Sequence, residues 1–241
     1  MMSRLFAGAA LAAGLVFTAS GFGTAAEEKK DKKALEATKK ALAEIGDFIG
    51  QWNVDAKGKI AGAEKSSKEK MELGWKFKDG DGWVNLEIKD GKFVTKGELK
   101  YDPAKKDYLL TLTDAGGKEI GTYAGKLKVG KLILEKTDSG SGDVGKITMY
   151  TVSDGARLIM VNEVKAGGKG SFVEQFKFTC GKEGESFAGG KKKPECVVTG
   201  GAATMAVNFG GKTYYVCCSG CRDEFNANPK KFVDEFEKKN K

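Results

Sequence analysis

Along this chain the spacing of apolar residues changes once. Leu35, Leu42, Ile45, Phe48 and Ile49 follow a charged, Ala-rich stretch at near-helical spacing, which predicts an amphipathic helix over residues 27–49, stopped by Gly50. From Trp52 the period becomes two. Met71, Leu73, Trp75 and Phe77 alternate with Glu72, Gly74, Lys76 and Lys78. Val84, Leu86 and Ile88 alternate with Asn85, Glu87 and Lys89, and Phe93, Thr95, Leu99 and Tyr101 alternate with Lys92, Lys96, Glu98 and Lys100. Such alternation makes strands with one dry and one wet face. Hairpin signals stand between the runs: Asp79-Gly80-Asp81-Gly82, Asp90-Gly91, Asp102-Pro103, Gly116-Gly117, Gly130 and Asp154-Gly155. About ten strands fit before Cys180, the last being Phe172–Phe178. Left open, such a meander exposes two edges, and closure removes them. The expected fold is mainly β: an antiparallel up-and-down barrel of about ten strands over residues 50–180, preceded by a helix.

The two ends read differently. Met1–Arg4 carries one positive charge, Leu5–Phe17 is apolar, and Thr24-Ala25-Ala26 places small residues before Glu27. This predicts a signal peptide over residues 1–26, removed on export. It leaves no stable membrane anchor and a mature chain that is periplasmic or secreted. Residues 181–193 are rich in Gly and Lys, lack periodicity and read as a solvated linker. Residues 194–241 form a small α+β unit. Asn208–Gly211 turns between two short strands, and Asn228 caps a helix that starts at Pro229 and pairs Phe232 with Phe236.

Composition narrows the chemistry. The chain has no histidine, which excludes Ser-His-Asp and Cys-His nucleophile pairs, His-liganded haem or copper, and the two-His zinc-hydrolase helix. The net charge of +8 arises from 41 Lys and Arg against 33 Asp and Glu, and Arg4, Arg157 and Arg222 are the arginines. Lysines stand scattered beside acids, as in Lys29-Lys30-Asp31-Lys32-Lys33. That is a solvated surface, and no nucleic-acid partner is expected.

The five cysteines, Cys180, Cys196, Cys217, Cys218 and Cys221, all lie near the C-terminal end. The spacing Cys196-x20-Cys217-x3-Cys221 lets Cys217 and Cys221 aim two sulfurs at one point around a turn entering a helix. Cys196 reaches that point from a preceding knuckle. Three converging thiolates suit a soft or borderline ion, Zn(II) or Cu(I), and so short a segment needs a staple to fold. The fourth position is open among Cys218, Asp223, Cys180 and water. On an extended strand Cys217 and Cys218 face opposite ways, which leaves Cys218 packed, exposed or paired with Cys180. In an oxidising compartment the competing state is a disulfide from Cys196 to Cys217 or Cys221. A third state is an inert remnant of a metal module. A thiol redox enzyme would have no His to activate the sulfur, so no catalytic residue is expected.

Two resemblances add to this. Val207–Phe225, which contains Gly211-Lys212-Thr213-Tyr214-Tyr215-Val216-Cys217 and the Cys217-x3-Cys221 knuckle, is followed by Asn228-Pro229-Lys230-Lys231-Phe232. Together they are similar to the YHS domain, a relative of the TRASH-type heavy-metal modules, over about Pro194–Phe236. The resemblance implies a treble-clef-like module that binds metal in trafficking, resistance or sensing. Where many members have Pro-Val-Cys-Gly, this chain has Val197-Val198-Thr199-Gly200, with Cys196 three positions before the usual cysteine. Gly50-Gln51-Trp52 resembles the Gly-x-Trp entry of lipocalins, which implies a barrel able to hold a small apolar ligand. Trp52 then either meets that ligand or only plugs one end. Glu174, on a period-two line with Phe172, Phe176 and Phe178, either meets a ligand, pairs with a Lys or sits at the rim.

The expected function is an exported, non-enzymatic metal-binding protein acting through Cys196, Cys217 and Cys221. The alternative is a carrier of a small apolar molecule with a disulfide-stapled accessory module.

Overall fold

The computed structural model describes residues 25–78, 81–184 and 194–239. The period-two segments become ten strands: β1 (Gly50–Ile60), β2 (Ala63–Lys78), β3 (Asp81–Lys89), β4 (Lys96–Asp102), β5 (Asp107–Thr113), β6 (Glu119–Lys128), β7 (Lys131–Thr137), β8 (Val144–Val152), β9 (Arg157–Lys165) and β10 (Val173–Lys182). Each pairs antiparallel with the next, and β10 pairs with β1, so the sheet closes into a barrel. The expected meander and its closure are both present. The barrel runs through Lys182, two residues beyond the expected limit at Cys180.

Closure depends on local backbone chemistry. The β1–β10 register runs from Trp52 opposite Lys182 to Gly58 opposite Phe176. A Cβ on Gly58 would lie 2.3 Å from the Gln175 carbonyl oxygen, so only glycine lets β10 approach here. Beside it β10 bulges, and its register against β9 shifts between Glu174 and Phe176. One extra residue reverses which side chains point inward.

The inward positions fill the barrel. Trp52, Met71, Leu73, Leu86, Leu110, Leu112, Tyr123, Leu132 and Phe178 are all essentially fully buried. Phe93, expected on a strand, instead sits in the β3–β4 loop, where it and Val94 are buried. The Phe93 ring stacks 5.6 Å from Phe176, whose ring lies 5.0 Å from Phe178. The Lys92 amide donates to the Glu69 carboxylate at 2.9 Å and fixes this loop.

Helix α1 (Ala25–Ala43) ends earlier than residue 49. After it the chain tightens into a 3-10 turn over Gly46–Phe48. Leu42, Ile45, Phe48 and Ile49 still bury as their spacing foretold, and the Tyr108 hydroxyl donates to the Ala41 carbonyl at 2.7 Å. No helix among the described residues is long and apolar enough to cross a membrane. The expected signal segment falls outside the described residues except for Ala25 and Ala26, the first residues of α1. Of the expected linker, Gly181 and Lys182 belong to β10, and residues 185–193 fall outside the described residues.

From Pro194 the chain builds a second, smaller set of elements: β11 (Met205–Phe209), β12 (Lys212–Val216), α2 (Ser219–Ala227) and α3 (Pro229–Lys239). The β11–β12 hairpin turns at Gly210-Gly211, where both φ values are positive. Phe225, Phe232 and Val233 bury, and Tyr214 packs edge-on against Phe236 with centroids 6.5 Å apart. Helix α2 rests on strand β2 of the barrel.

Candidate metal centre

The site begins with a knuckle. The Cys196 amide donates to the Gly201 carbonyl at 2.6 Å, and the Gly200 amide returns to the Cys196 carbonyl at 2.8 Å. The Val197 amide donates to the Tyr215 carbonyl at 2.9 Å, which lays the knuckle beside β12. Strand β12 ends at Val216, and the chain bends through Cys217 and Cys218 into α2, whose first turn carries Cys221.

These elements bring the three expected ligands together. The sulfurs of Cys196, Cys217 and Cys221 all lie within 4.8 Å of one another, and none of the three residues is more than 4 % exposed. The Cys217 and Cys221 sulfurs are 3.6 Å apart. Zn–S bonds of about 2.3 Å in a tetrahedron set neighbouring sulfurs about 3.8 Å apart. The observed spacing therefore suits ligands of one ion. It is far from the roughly 2.05 Å of a disulfide, and all five cysteines are free thiols.

Cys218 departs from expectation. It lies beyond the end of β12, in the bend directly before α2, so strand alternation does not govern it. Its sulfur sits 4.0 Å from that of Cys217 and accepts the Trp75 amide of β2 at 3.2 Å. Far from facing away, it adjoins the three sulfurs. Cys180 is not its partner: that thiol belongs to the barrel wall, with Val54 and Leu158 as its strand partners. Asp223 is exposed and pairs with Arg222 at 3.1 Å. Of the expected fourth ligands, the structure brings Cys218 to the cluster.

Close contact among the sulfurs couples the thiols. Cys196 and Cys218 are pushed well below the ordinary thiol range, first by S–H donation from Cys217 and next from Cys221, against the opposing effect of burial. Cys217 and Cys221 are pushed up, first by donating to Cys196. The sulfurs thus serve one another as donors and acceptors, an arrangement that a cation entering among them replaces.

Two contributing residues, Glu72 and Trp75, come from the barrel and carry no local sequence signal. The Glu72 carboxylate on β2 accepts the Ser219 amide at 3.0 Å and the Ser219 hydroxyl, capping α2. Gly220 lies so close to β2 that a Cβ would come within 1.7 Å of the Trp75 carbonyl oxygen. The Thr199 hydroxyl is 3.7 Å from the Cys217 sulfur. A cleft of about 590 Å³ opens beside the cluster, lined by Leu42, Trp75, Phe77, Val198, Thr199 and Phe232, among others.

The barrel candidates resolve differently. Trp52 is fully buried, donates through Nε1 to the Phe48 carbonyl at 2.9 Å, and lies under the Lys182 ammonium 4.9 Å from its ring centroid. Its polar atom is satisfied within the protein, by the 3-10 turn that follows α1. Glu174 does not share a face with Phe176 and Phe178, because the bulge at Gln175 turns it outward, where it is exposed. Phe172 lies outside too, 3.9 Å from the Lys146 ammonium. The inward carboxylate is Glu69, which continues the period-two series of Met71, Leu73 and Trp75 by one step. No family model matches this chain, and no curated protein matches it.

Proposed function

We propose that this chain is an exported, non-enzymatic metal-binding protein whose C-terminal segment holds one thiophilic ion, Zn(II) or Cu(I), through Cys196, Cys217 and Cys221. The observation that carries the reading is the convergence of three buried sulfurs, from two separate stretches of chain, within 4.8 Å. A core of this size gains little from burying four free thiols without a bond among them, whereas a thiolate-bound ion supplies about 10 kcal/mol or more to such folds. The likeness to the YHS domain and its treble-clef-like arrangement supports the same reading. Thr199 stands where that pattern has its cysteine and still reaches the Cys217 sulfur, while Cys196 supplies the thiolate from the same knuckle. Handling of heavy metal, by trafficking, resistance or sensing, follows as the role.

The barrel serves here as a scaffold. Its inward positions are occupied by large side chains in mutual contact, and Phe93 folds over the Phe176–Phe178 pair. These features support a filled interior over the lipocalin-like carrier. The test is elemental analysis of full-length protein purified under reducing conditions. We expect about one zinc or copper per chain, lost in Cys217→Ser and Cys221→Ser. Equal metal in parent and variants would remove the proposal. Export is checked by N-terminal sequencing, with a mature start near Glu27 expected and recovery of Met1 on exported protein contradicting it.

A further inference from the structure

We infer that the ion sits at a seam between the C-terminal segment and the barrel. Cys218 is its fourth ligand, and strand β2 positions that ligand, so that metal binding and docking of the segment on the barrel are one linked equilibrium. The inference rests on the metal reading above and adds to it a fourth donor, the choice of a tetrahedral ion, and a role for the barrel.

The β1–β2 pairing ends at Gly50 opposite Leu73. From Gly74 onward β2 still pairs with β3 but has lost its partner on the other side. A strand edge left bare is a row of unmet donors and acceptors. Here Cys218, Ser219 and Gly220 cover it. The Trp75 amide donates to the Cys218 sulfur, Glu72 takes the amide and hydroxyl of Ser219, and Gly220 packs against the Trp75 carbonyl.

Backbone amides that donate to a ligand sulfur stabilise its anionic form and fix its direction, as outer partners do for other metal ligands. The 4.0 Å between the Cys217 and Cys218 sulfurs is close to the roughly 3.8 Å edge of a tetrahedral thiolate site. Cys218 stands outside the group of three within 4.8 Å of one another, so the ion must draw it inward while the Trp75 amide holds its other side. Three sulfurs alone leave one position for water. Four complete a closed site, which favours Zn(II) over ions content with three soft donors. Because the fourth donor is anchored on β2, the closed site forms only when the segment is docked, and linkage requires the ion to tighten docking in return.

Co(II) titration of the full-length protein under reducing conditions tests this. Tetrahedral Co(II) gives strong visible bands, and its near-ultraviolet sulfur-to-metal intensity grows with the number of thiolates. We expect a four-thiolate spectrum for the parent protein and a three-thiolate spectrum for Cys218→Ser. Gly220→Ala replaces no ligand but cannot dock; it should give the three-thiolate spectrum too, with affinity lowered about tenfold or more. Glu72→Ala, on the outer barrel face, should weaken binding in the same direction, and it decides the matter if Gly220→Ala shows no cooperative barrel melt. Hydrogen exchange at the Trp75 amide should slow on Co(II) addition. A parent spectrum of three thiolates unchanged by Cys218→Ser, or docking variants that bind as the parent does, would overturn the seam while leaving the three-cysteine site standing. Absence of any Co(II) or Zn(II) binding by the parent would overturn both.

Discussion

Raising the pH should destabilise this protein through one buried thiol that plays no part in the cluster. Cys180 is about 1 % exposed in the barrel wall. Burial first, and the nearby Asp55 carboxylate second, push its pKa from 9.0 up to about 12. The folded state thus keeps a proton that the unfolded chain gives up. The associated stability is fully present below pH 9 and is lost as the pH rises from 9 towards 12. One proton held by the folded state alone costs about 1.4 kcal/mol for every pH unit across that window, so the whole effect is of order 4 kcal/mol. The assay is urea denaturation under reducing conditions at about pH 8, 10 and 11, below and inside the window, comparing the parent with Cys180→Ala. The variant loses some stability at every pH through its cavity, so the slopes are compared and not the levels. Lysine and tyrosine titration is common to both proteins. The parent should fall more steeply, by about 1.4 kcal/mol for each pH unit; parallel slopes would show that the Cys180 environment has been misjudged.

Two further substitutions probe the barrel. Val129 sits at the β6–β7 tip with φ 47° and full exposure, a backbone region that β-branched residues resist and that Asn before Gly accepts. Val129→Asn should therefore raise stability by about 1 kcal/mol in chemical denaturation, and a loss would contradict the strain. Phe178→Ala removes a fully buried ring from the Phe93–Phe176–Phe178 stack and should cost about 3–5 kcal/mol. A cost below about 1 kcal/mol would imply a roomy interior and revive the carrier reading.

The strands and their closure are legible because a half-buried sheet writes its two faces directly into the sequence. Met71, Leu73 and Trp75 bury where their alternation puts them, and extending the same line by one step reaches Glu69. Glu174 does not follow its line, because a bulge inserts one residue without altering the composition of the strand, and alternation along Phe172–Phe178 runs straight through it. Cys218 escapes alternation for a related reason. Period two holds only as far as Val216, where β12 ends and the chain turns into α2. The three-sulfur set can be read because its spacing is local to a knuckle and a helix start. The Trp75 amide and Glu72 lie far from the cluster in sequence and reach it only through the fold. Nothing in the pattern of a barrel strand distinguishes an edge that will carry a ligand from one that will not.

The central claim is that one ion gathers the sulfurs of the C-terminal segment, and counting protected thiols tests it most directly. Full-length reduced protein is titrated with Zn(II), exposed briefly to an alkylating reagent and weighed by mass spectrometry, with peptide mapping of each cysteine. One equivalent of Zn(II) should protect Cys196, Cys217 and Cys221 together, with Cys218 joining them, and a strong chelator should return all of them to reactivity. Cys180 should stay unreactive with or without metal, because the barrel wall buries it. If one equivalent leaves Cys196, Cys217 and Cys221 as reactive as in metal-free protein, or protects them only one at a time, the cluster is not a metal site.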